Sequence, residues 1–349
     1  MADILSLLSP AQLTGYVREL PEPIINSLEA VLPNRTINGR KTARVKGTRR
    51  PITVKYRAWD AEAPIERRRG AVEVQEIVLP PLAGKLPLNE DLQYKLQDAP
   101  GDVTTGQIVD AIYDDGGNLA QGIRYRAEVA RGQFLQTGAV TISENGQVYE
   151  ADYGLADDHQ ADTSDITPWN ASGTPLTDEL AWVQKVQRDA QAPVVRATTT
   201  PEVRAALLSN EEYRQAFYAG ASAGTLPTLT PGQLDQVRQS YGLPPLFIYD
   251  GYVPDDEDGV VRVIEADKFI LTTATVGESQ WGETIEAINL VASNAPDWTR
   301  ETAPGITVTQ YTEPDPVTVW TKASAVFLPV AGDIAGLFVA SVLEGVVNS

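Results

Sequence analysis

The feature that most constrains this chain is the uneven placement of its charge. Between residues 35 and 69 stand twelve basic residues (Arg35, Arg40, Lys41, Arg44, Lys46, Arg49, Arg50, Lys55, Arg57, Arg67, Arg68 and Arg69) and three acids, Asp60, Glu62 and Glu66. The whole chain carries 28 Lys+Arg against 47 Asp+Glu, a formal net charge of −19. Of those acids, 38 lie after residue 80. A cationic segment on an anionic body suits three partners: a nucleic acid, an anionic surface, or the acidic body of another copy. Tight nucleic-acid binding is phosphate neutralisation by cations, which a chain of −19 serves poorly. The third partner is the most economical, so Arg49, Arg50, Lys55, Arg57, Arg67, Arg68 and Arg69 are expected to make inter-subunit contacts.

At 349 residues the chain is one large domain or two to three smaller ones. It has no cysteine, which excludes a disulfide scaffold, thiolate metal sites and cysteine nucleophiles. Its one histidine, His159, excludes a multi-histidine metal site. Twenty-four prolines and 27 glycines predict many turns and few long helices. The first residues hold Asp3 and no basic stretch, unlike a signal peptide. The most apolar region, 323–347, is interrupted by Pro329, Asp333 and Glu344 and is too broken for a membrane span.

Hydrophobic spacing gives a coarse element order. Ser9-Pro10 opens a short helix with Leu13, Val17 and Leu20 on one face. A second stripe (Ile24, Ile25, Leu28, Val31, Leu32) runs to Pro33. Neither makes a core alone, and both are expected to dock on another copy. Thr53 to Ala58 alternate, and Val72 to Val78 resume strand character, predicting a long charged hairpin ended by Pro80-Pro81. Ile108, Ile112, Leu119, Ile123, Ala127, Ala130 and Phe134 predict a long helix over 104–137, with a kink possible at Gly116-Gly117. Asn145-Gly146 between two strand-like runs is a hairpin turn. Beyond it come a helix over 176–192 with Thr177 as N-cap, a strand at 194–197, and helices from Pro201, Asn210 and Thr230-Pro231. Strands follow at 246–249, 260–264, 268–272, 306–310, 317–321, 325–330 and 337–342. The mixture is α+β.

Motifs of chemistry are sparse. Gly220-Ala221-Ser222-Ala223-Gly224 matches the hydrolase elbow, but a helix rather than a strand precedes it and no histidine follows. Asp157-Asp158-His159 with Asp162 reads as a solvated turn. Asp255-Asp256-Glu257-Asp258-Gly259 lacks the ligand spacing of a calcium loop and reads as a hairpin turn. No P-loop or dinucleotide fingerprint occurs. Trp169 and Trp281 sit beside turn residues and are expected to be half-exposed interface anchors.

The order of elements resembles that of tailed-bacteriophage major capsid proteins, in the lambda-like capsid family with the Hong Kong 97-type fold. The residues that carry the resemblance are the Asn145-Gly146 hairpin leading into Val148-Tyr149-Glu150-Ala151-Asp152-Tyr153-Gly154, then Trp169, the Gln280-Trp281-Gly282 turn, and Val326-Phe327-Leu328-Pro329 near the end. It implies an N-terminal arm (1–45), an extended loop (46–81), a peripheral domain (82–155 and 300–330) with a spine helix at 106–137, and an axial domain (156–299 and 331–349). It implies a non-enzymatic subunit, without cofactor or metal, that builds hexamers and pentamers of an icosahedral head around double-stranded DNA. Partners would be other copies, a scaffold protein, the portal and a decoration protein, in a virion assembled in the host cytoplasm. Only about 45 residues precede the loop, so scaffolding is expected from a separate protein. Lys46 and Lys55 lie on the loop, but no acid or asparagine partner is identified, so the cross-linking of some members is not carried over. An encapsulin-type cellular shell and, distantly, a hydrolase using Ser222 are the alternatives.

Overall fold

The computed structural model describes residues 10–21, 27–46, 54, 56–57, 59–62, 73–91, 94, 104–144, 146–218, 226–254, 259–292 and 304–346. Helix α1 (Pro10–Glu19) is followed by a short 3-10 turn at Leu28–Ala30 and strand β1 (Asn34–Thr36). Strands β2 (Lys41–Lys46) and β3 (Glu73–Val78) pair antiparallel, from Lys41 opposite Val78 to Lys46 opposite Glu73. They are the stem of the charged hairpin. Of the strand expected at 53–58, Val54, Tyr56 and Arg57 have no strand pairing, and 53, 55 and 58 lie outside the described residues. The hairpin ends before Pro80-Pro81, as expected, and strand β4 (Pro81–Leu88) follows at once.

Helix α2 (Thr104–Thr137) runs unbroken for 34 residues. Its buried residues Ile112, Ala120, Ile123, Ala127, Phe134 and Leu135 form one long apolar face. It continues through Gly116-Gly117 without a break. A Cβ at Gly116 would meet Leu13 Cδ1 at 3.3 Å, so the glycines form the seat on which α1 lies. Strands β5 (Ala139–Glu144) and β6 (Gln147–Asp152) make the expected hairpin, with Gly146 at φ +73° supplying the left-handed turn residue.

The second half begins with a short strand, β7 (Gln160–Ala161), and helix α3 (Pro175–Ala190). Its N-cap is Thr174, three residues before the expected Thr177. The shift has a cause. Pro175 fits the first helical position, and Glu212 accepts the orphan N–H groups of Leu176 (2.7 Å) and Thr177 (3.4 Å). Strand β8 (Val194–Thr199), helices α4 (Pro201–Ser209), α5 (Glu211–Phe217) and α6 (Pro231–Ser240), and strand β9 (Leu246–Ile248) follow as the caps and runs predict; β10 (Tyr252–Pro254), which was not expected, precedes β11 (Val260–Arg262) and β12 (Lys268–Thr273), which were. Then come β13 (Gly277–Gly282), α7 (Ile285–Ala292), β14 (Thr307–Pro314), β15 (Val317–Ala331) and β16 (Leu337–Ser341).

Two five-stranded sheets organise these elements. In one, β15 is the common member: β14 and then β13 pair along it, β4 pairs with its Val319–Val326 stretch, and β1 adds parallel to β13. Segment 277–282 therefore belongs to the sheet of β4, β14 and β15, not with its sequence neighbours. In the other, the order is β7-β16-β12-β8-β9. Strand alternation gives that second sheet two buried faces. Phe269, Leu271, Phe338 and Ala340 point into a core with Trp169, Trp182 and Leu207. Ile270, Leu337 and Val339 point into a core with Phe134, Leu328 and Val330.

The described arm folds on its own body, which corrects the expectation that it docks elsewhere. Leu13, Val17, Leu28 and Leu32 are all 1% exposed or less. Thr14 Oγ1 donates to the Val308 carbonyl (3.1 Å) and accepts from the Val308 N–H (2.9 Å). The Arg124 guanidinium donates to the carbonyls of Val17, Leu20 and Pro21. It thus supplies both hydrogen bonds and positive charge at the C-terminal end of α1. Leu13→Ala is expected to lower the stability of the isolated subunit by about 2–5 kcal/mol, the cost of a buried leucine truncation. Urea unfolding of the unassembled protein checks this; an unchanged midpoint would place the arm on a neighbour instead.

Candidate inter-subunit surface

The stem of the charged hairpin is tied down at its base. Arg44 is buried, its Nη1 donates to the Tyr153 carbonyl (3.3 Å), and its guanidinium lies 4.9 Å over the Tyr153 ring. Tyr153 in turn donates from its hydroxyl to the Pro329 carbonyl at 2.6 Å. Burial pushes the Arg44 guanidinium below its ordinary value and the Tyr153 hydroxyl above its own. Arg35 pairs with Glu278 (2.9 Å), and Lys41 with Glu76 across the stem (2.5 Å). These cations are engaged by their own subunit.

Beyond the stem the picture differs. Arg57 is exposed and donates to the Ala61 carbonyl. Arg49, Arg50, Lys55, Arg67, Arg68 and Arg69 lie outside the described residues. Near Arg57 stand two aromatic side chains with no cover at all: Tyr56 is 107% exposed relative to a free residue and Trp59 97%. Val54 is 76% exposed. A fully buried Tyr or Trp removes roughly 150–250 Å² from water. Two bare rings within four residues are what an unfilled contact surface looks like. Sequence reasoning missed Tyr56 and Trp59. Their signal was there, as aromatic residues in a stretch otherwise made of charge and turns.

Trp169 and Trp281, expected half-exposed, are buried. Trp169 is 1% exposed, stacked on Trp182 at 5.6 Å and edge-on to Phe269 at 5.1 Å, with its Nε1 donating to Asp178 (3.0 Å). Burial raises the Asp178 carboxyl above its usual range, against the opposing pull of that indole hydrogen bond. Trp281 is 8% exposed, packs on Phe327 at 4.5 Å and donates to Asn34 Oδ1 (2.8 Å). Each indole N–H finds a polar partner inside the subunit, so the ring can sit in the core although turn residues flank it.

Asn34 belongs to a buried polar node. Arg131 and Glu128, 1% and 2% exposed at the side chain, pair at 2.8 Å on α2. Arg131 also donates to Ser279 Oγ (2.9 Å) and Asn34 Oδ1 (2.7 Å). Glu128 accepts from the Leu28 N–H (2.6 Å), the Ser27 hydroxyl (2.9 Å) and the Tyr249 hydroxyl (3.0 Å). One ion pair thus gathers the arm, α2, β13 and the segment after β9. Burial and the neighbouring Glu128 carboxylate push the Tyr249 hydroxyl well above its ordinary value. A second node, Glu179 with Arg238 (2.5 Å) and Tyr213 (2.8 Å), ties α3, α5 and α6 together.

Of the remaining motifs, the one around His159 is among the described residues. His159 is buried, with Nδ1 at 2.8 Å from the Leu337 carbonyl and Nε2 at 3.2 Å from Asp189. Lys185 bridges Asp158 (2.5 Å) and Asp189 (3.0 Å). This is a pinned loop. Among the described residues no group of His, Asp and Glu has a metal-binding arrangement, and no helix is long and apolar enough to cross a membrane. Ser222 with its flanking glycines, Asp255–Asp258, Ser9 and Asn145 lie outside the described residues.

Comparison with known proteins adds the following. A family model described as phage major capsid protein E matches residues 9–342. A search of curated proteins gives no match. Among solved structures, a protein assigned as the capsid protein of a prophage of E. coli CFT073 superposes with a TM-score of 0.63 at 15% identity, covering 96% of this chain and 99% of that one. A phage-related protein from Bordetella bronchiseptica RB50 superposes with a TM-score of 0.55 at 11% identity, covering 98% and 99%. At such identities the likeness is one of fold.

Two outcomes are expected. Arg131→Met, which leaves Glu128 buried without its cation, should cost about 3–5 kcal/mol in urea unfolding. Asp189 is held well below the usual carboxylate range, chiefly by the Lys185 ammonium and further by Arg188 and His159. A lowered folded-state value means that its stabilisation is complete above the ordinary carboxylate pKa and is lost as pH falls below it. Asp189→Asn should therefore melt lower than wild type at pH 7, with the gap closing below pH ~4. A constant gap down to pH ~2 contradicts this assignment.

Proposed function

The chain belongs to the phage major capsid protein E family, and from that premise we propose how its parts serve the shell. It is a shell-forming capsid protein with the Hong Kong 97-type fold, located in the virion capsid. Copies assemble into hexamers and pentamers of an icosahedral head that encloses double-stranded DNA without sequence-specific contacts. The sheet built on β15 with α2 forms the peripheral domain, and the sheet β7-β16-β12-β8-β9 with its helices forms the axial domain, which meets its copies around capsomer axes. The hairpin beyond β2 and β3 is the extended loop that lies across a neighbour. A separate scaffold protein, the portal and a decoration protein are the further partners, and assembly takes place in the host cytoplasm. The role is structural, without catalysis.

The observation that supports the loop assignment most is the pair of bare rings, Tyr56 and Trp59, beside a run of arginines. In one subunit they cost solvation free energy with no return. In a shell they are covered, and head-to-tail contacts of this kind close into rings. Obligate assemblies bury surface on the scale of roughly thousands of Å², which a projecting loop supplies. A net charge of −19 also limits adhesion of the packaged polyanion to the shell wall.

Negative-stain microscopy of the expressed protein, with and without a candidate scaffold, tests this reading; closed shells of uniform diameter are expected. Reversing Arg67, Arg68 and Arg69 to aspartate should leave a soluble, folded subunit that no longer assembles. Normal assembly of that variant across a salt series would remove the loop arginines from the interface.

A further inference from the structure

Resting on the loop assignment above, a second question is where on the neighbour the arginines go. The body has many acids, but most are already engaged. In the loop at 157–165, Asp158 is bound by Lys185, and Asp162 accepts from the Ser164 N–H and hydroxyl. Glu212 caps α3, and Glu202 and Asp250 share Arg262. Glu278 and Glu286 hold Arg35 and Lys322.

One place differs. Where α1 crosses α2, Tyr16 and Tyr113 meet edge-to-face, ring centres 4.8 Å apart and planes at 78°. Together with Asp110 and Asp114 they line a cleft of about 500 Å³. Tyr16 is 42% exposed and both aspartates are exposed. Neither aspartate has a hydrogen bond or ion pair among the described residues, and neither does the hydroxyl of either tyrosine. Asp110 and Asp114 stand one helical turn apart, the spacing at which like charges repel along a helix. Asp115, next along, has its carboxyl raised by burial and further by Asp114. The seat is rigid, because α1 is fixed on α2 by Leu13 against Gly116 and by Arg124 on its last carbonyls.

The chemistry of the cleft is selective. Two unpaired carboxylates ask for positive charge, and the tyrosine faces add attraction for a cation. A guanidinium fits better than an ammonium, because its plane stacks on a ring while its edge donates to carboxylates. The largest concentration of guanidinium in the chain is Arg67-Arg68-Arg69. We propose that the cleft formed by Tyr16, Tyr113, Asp110 and Asp114 is the receptor for the loop arginines 67–69 of a second copy of this chain. The contact is open to solvent at its rim, so it weakens with salt.

A charge swap tests this, with wild-type shells prepared in parallel and the melting temperature of each unassembled variant confirming its fold. Reversing the cleft alone (Asp110→Arg with Asp114→Arg) and reversing the loop alone (Arg67→Asp, Arg68→Asp and Arg69→Asp) should each lower shell yield at least tenfold. Combining the two should restore yield to within threefold of wild type. If only the loop reversal blocks assembly, or if both block it and the combination does not recover, the arginines bind elsewhere and this receptor is wrong while the loop assignment stands. If neither blocks assembly, the loop assignment fails as well. Should the cleft reversal melt far below wild type, Asp110→Asn with Asp114→Asn provides the second reading: shell yield that falls several-fold supports the receptor, and unchanged yield overturns it.

Discussion

The architecture depends on one buried ion pair. Glu128 and Arg131 sit on the same face of α2, at a spacing that lets a carboxylate and a guanidinium meet. Every other group they touch comes from a distant part of the chain. Taking two charges out of water is costly unless every lone pair and proton is used. Here the two meet each other and five further residues: Ser27, Leu28, Asn34, Ser279 and Tyr249. An apolar cluster in the same place would pack in several ways. This one is satisfied in a single arrangement, which fixes the arm, β13 and the segment after β9 relative to the long helix.

That fixed body is the platform on which the rest of the subunit acts. The hairpin leaves it through Arg44 over Tyr153 and through the buried Ile77 and Leu79. What lies beyond is unlike the body: bare rings at Tyr56 and Trp59, and clustered arginines. The contrast separates two tasks. The core side of the molecule satisfies itself, whereas Tyr56 and Trp59 find no cover among the described residues of the same subunit.

Much of this was legible in the sequence where a single local rule sufficed. The 3.6-residue stripe from Ile108 to Phe134 gave α2, Asn145-Gly146 gave its hairpin, and Pro201, Asn210 and Thr230-Pro231 marked three helix starts. What was not legible depended on distant partners. Strand β4 contains Pro81, Gly84 and Pro87, a poor strand by propensity, and forms because β15 lies alongside it. Strand β13 is polar by sequence, yet Ser279 and Gln280 are buried, the serine because the node needs its hydroxyl. Strand β15 reads as two strands because Lys322-Ala323-Ser324-Ala325 is weak in β propensity, and three neighbours hold it as one. Trp169 and Trp281 were placed at the surface by their turn-rich neighbours, and Asp178 and Asn34 draw them inward. The arginine run was visible as charge; the bareness of Tyr56 and Trp59 is a property of space, not of composition.

The fifteen residues of β15 have a mechanical consequence. Strands β13, β14 and β4 grip it along nearly its whole length, and its ladder bonds lie across its axis. A pull along that axis loads the bonds in shear, all at once, instead of unzipping them one after another. The strand acts as a tie rod, stiffest along its own axis.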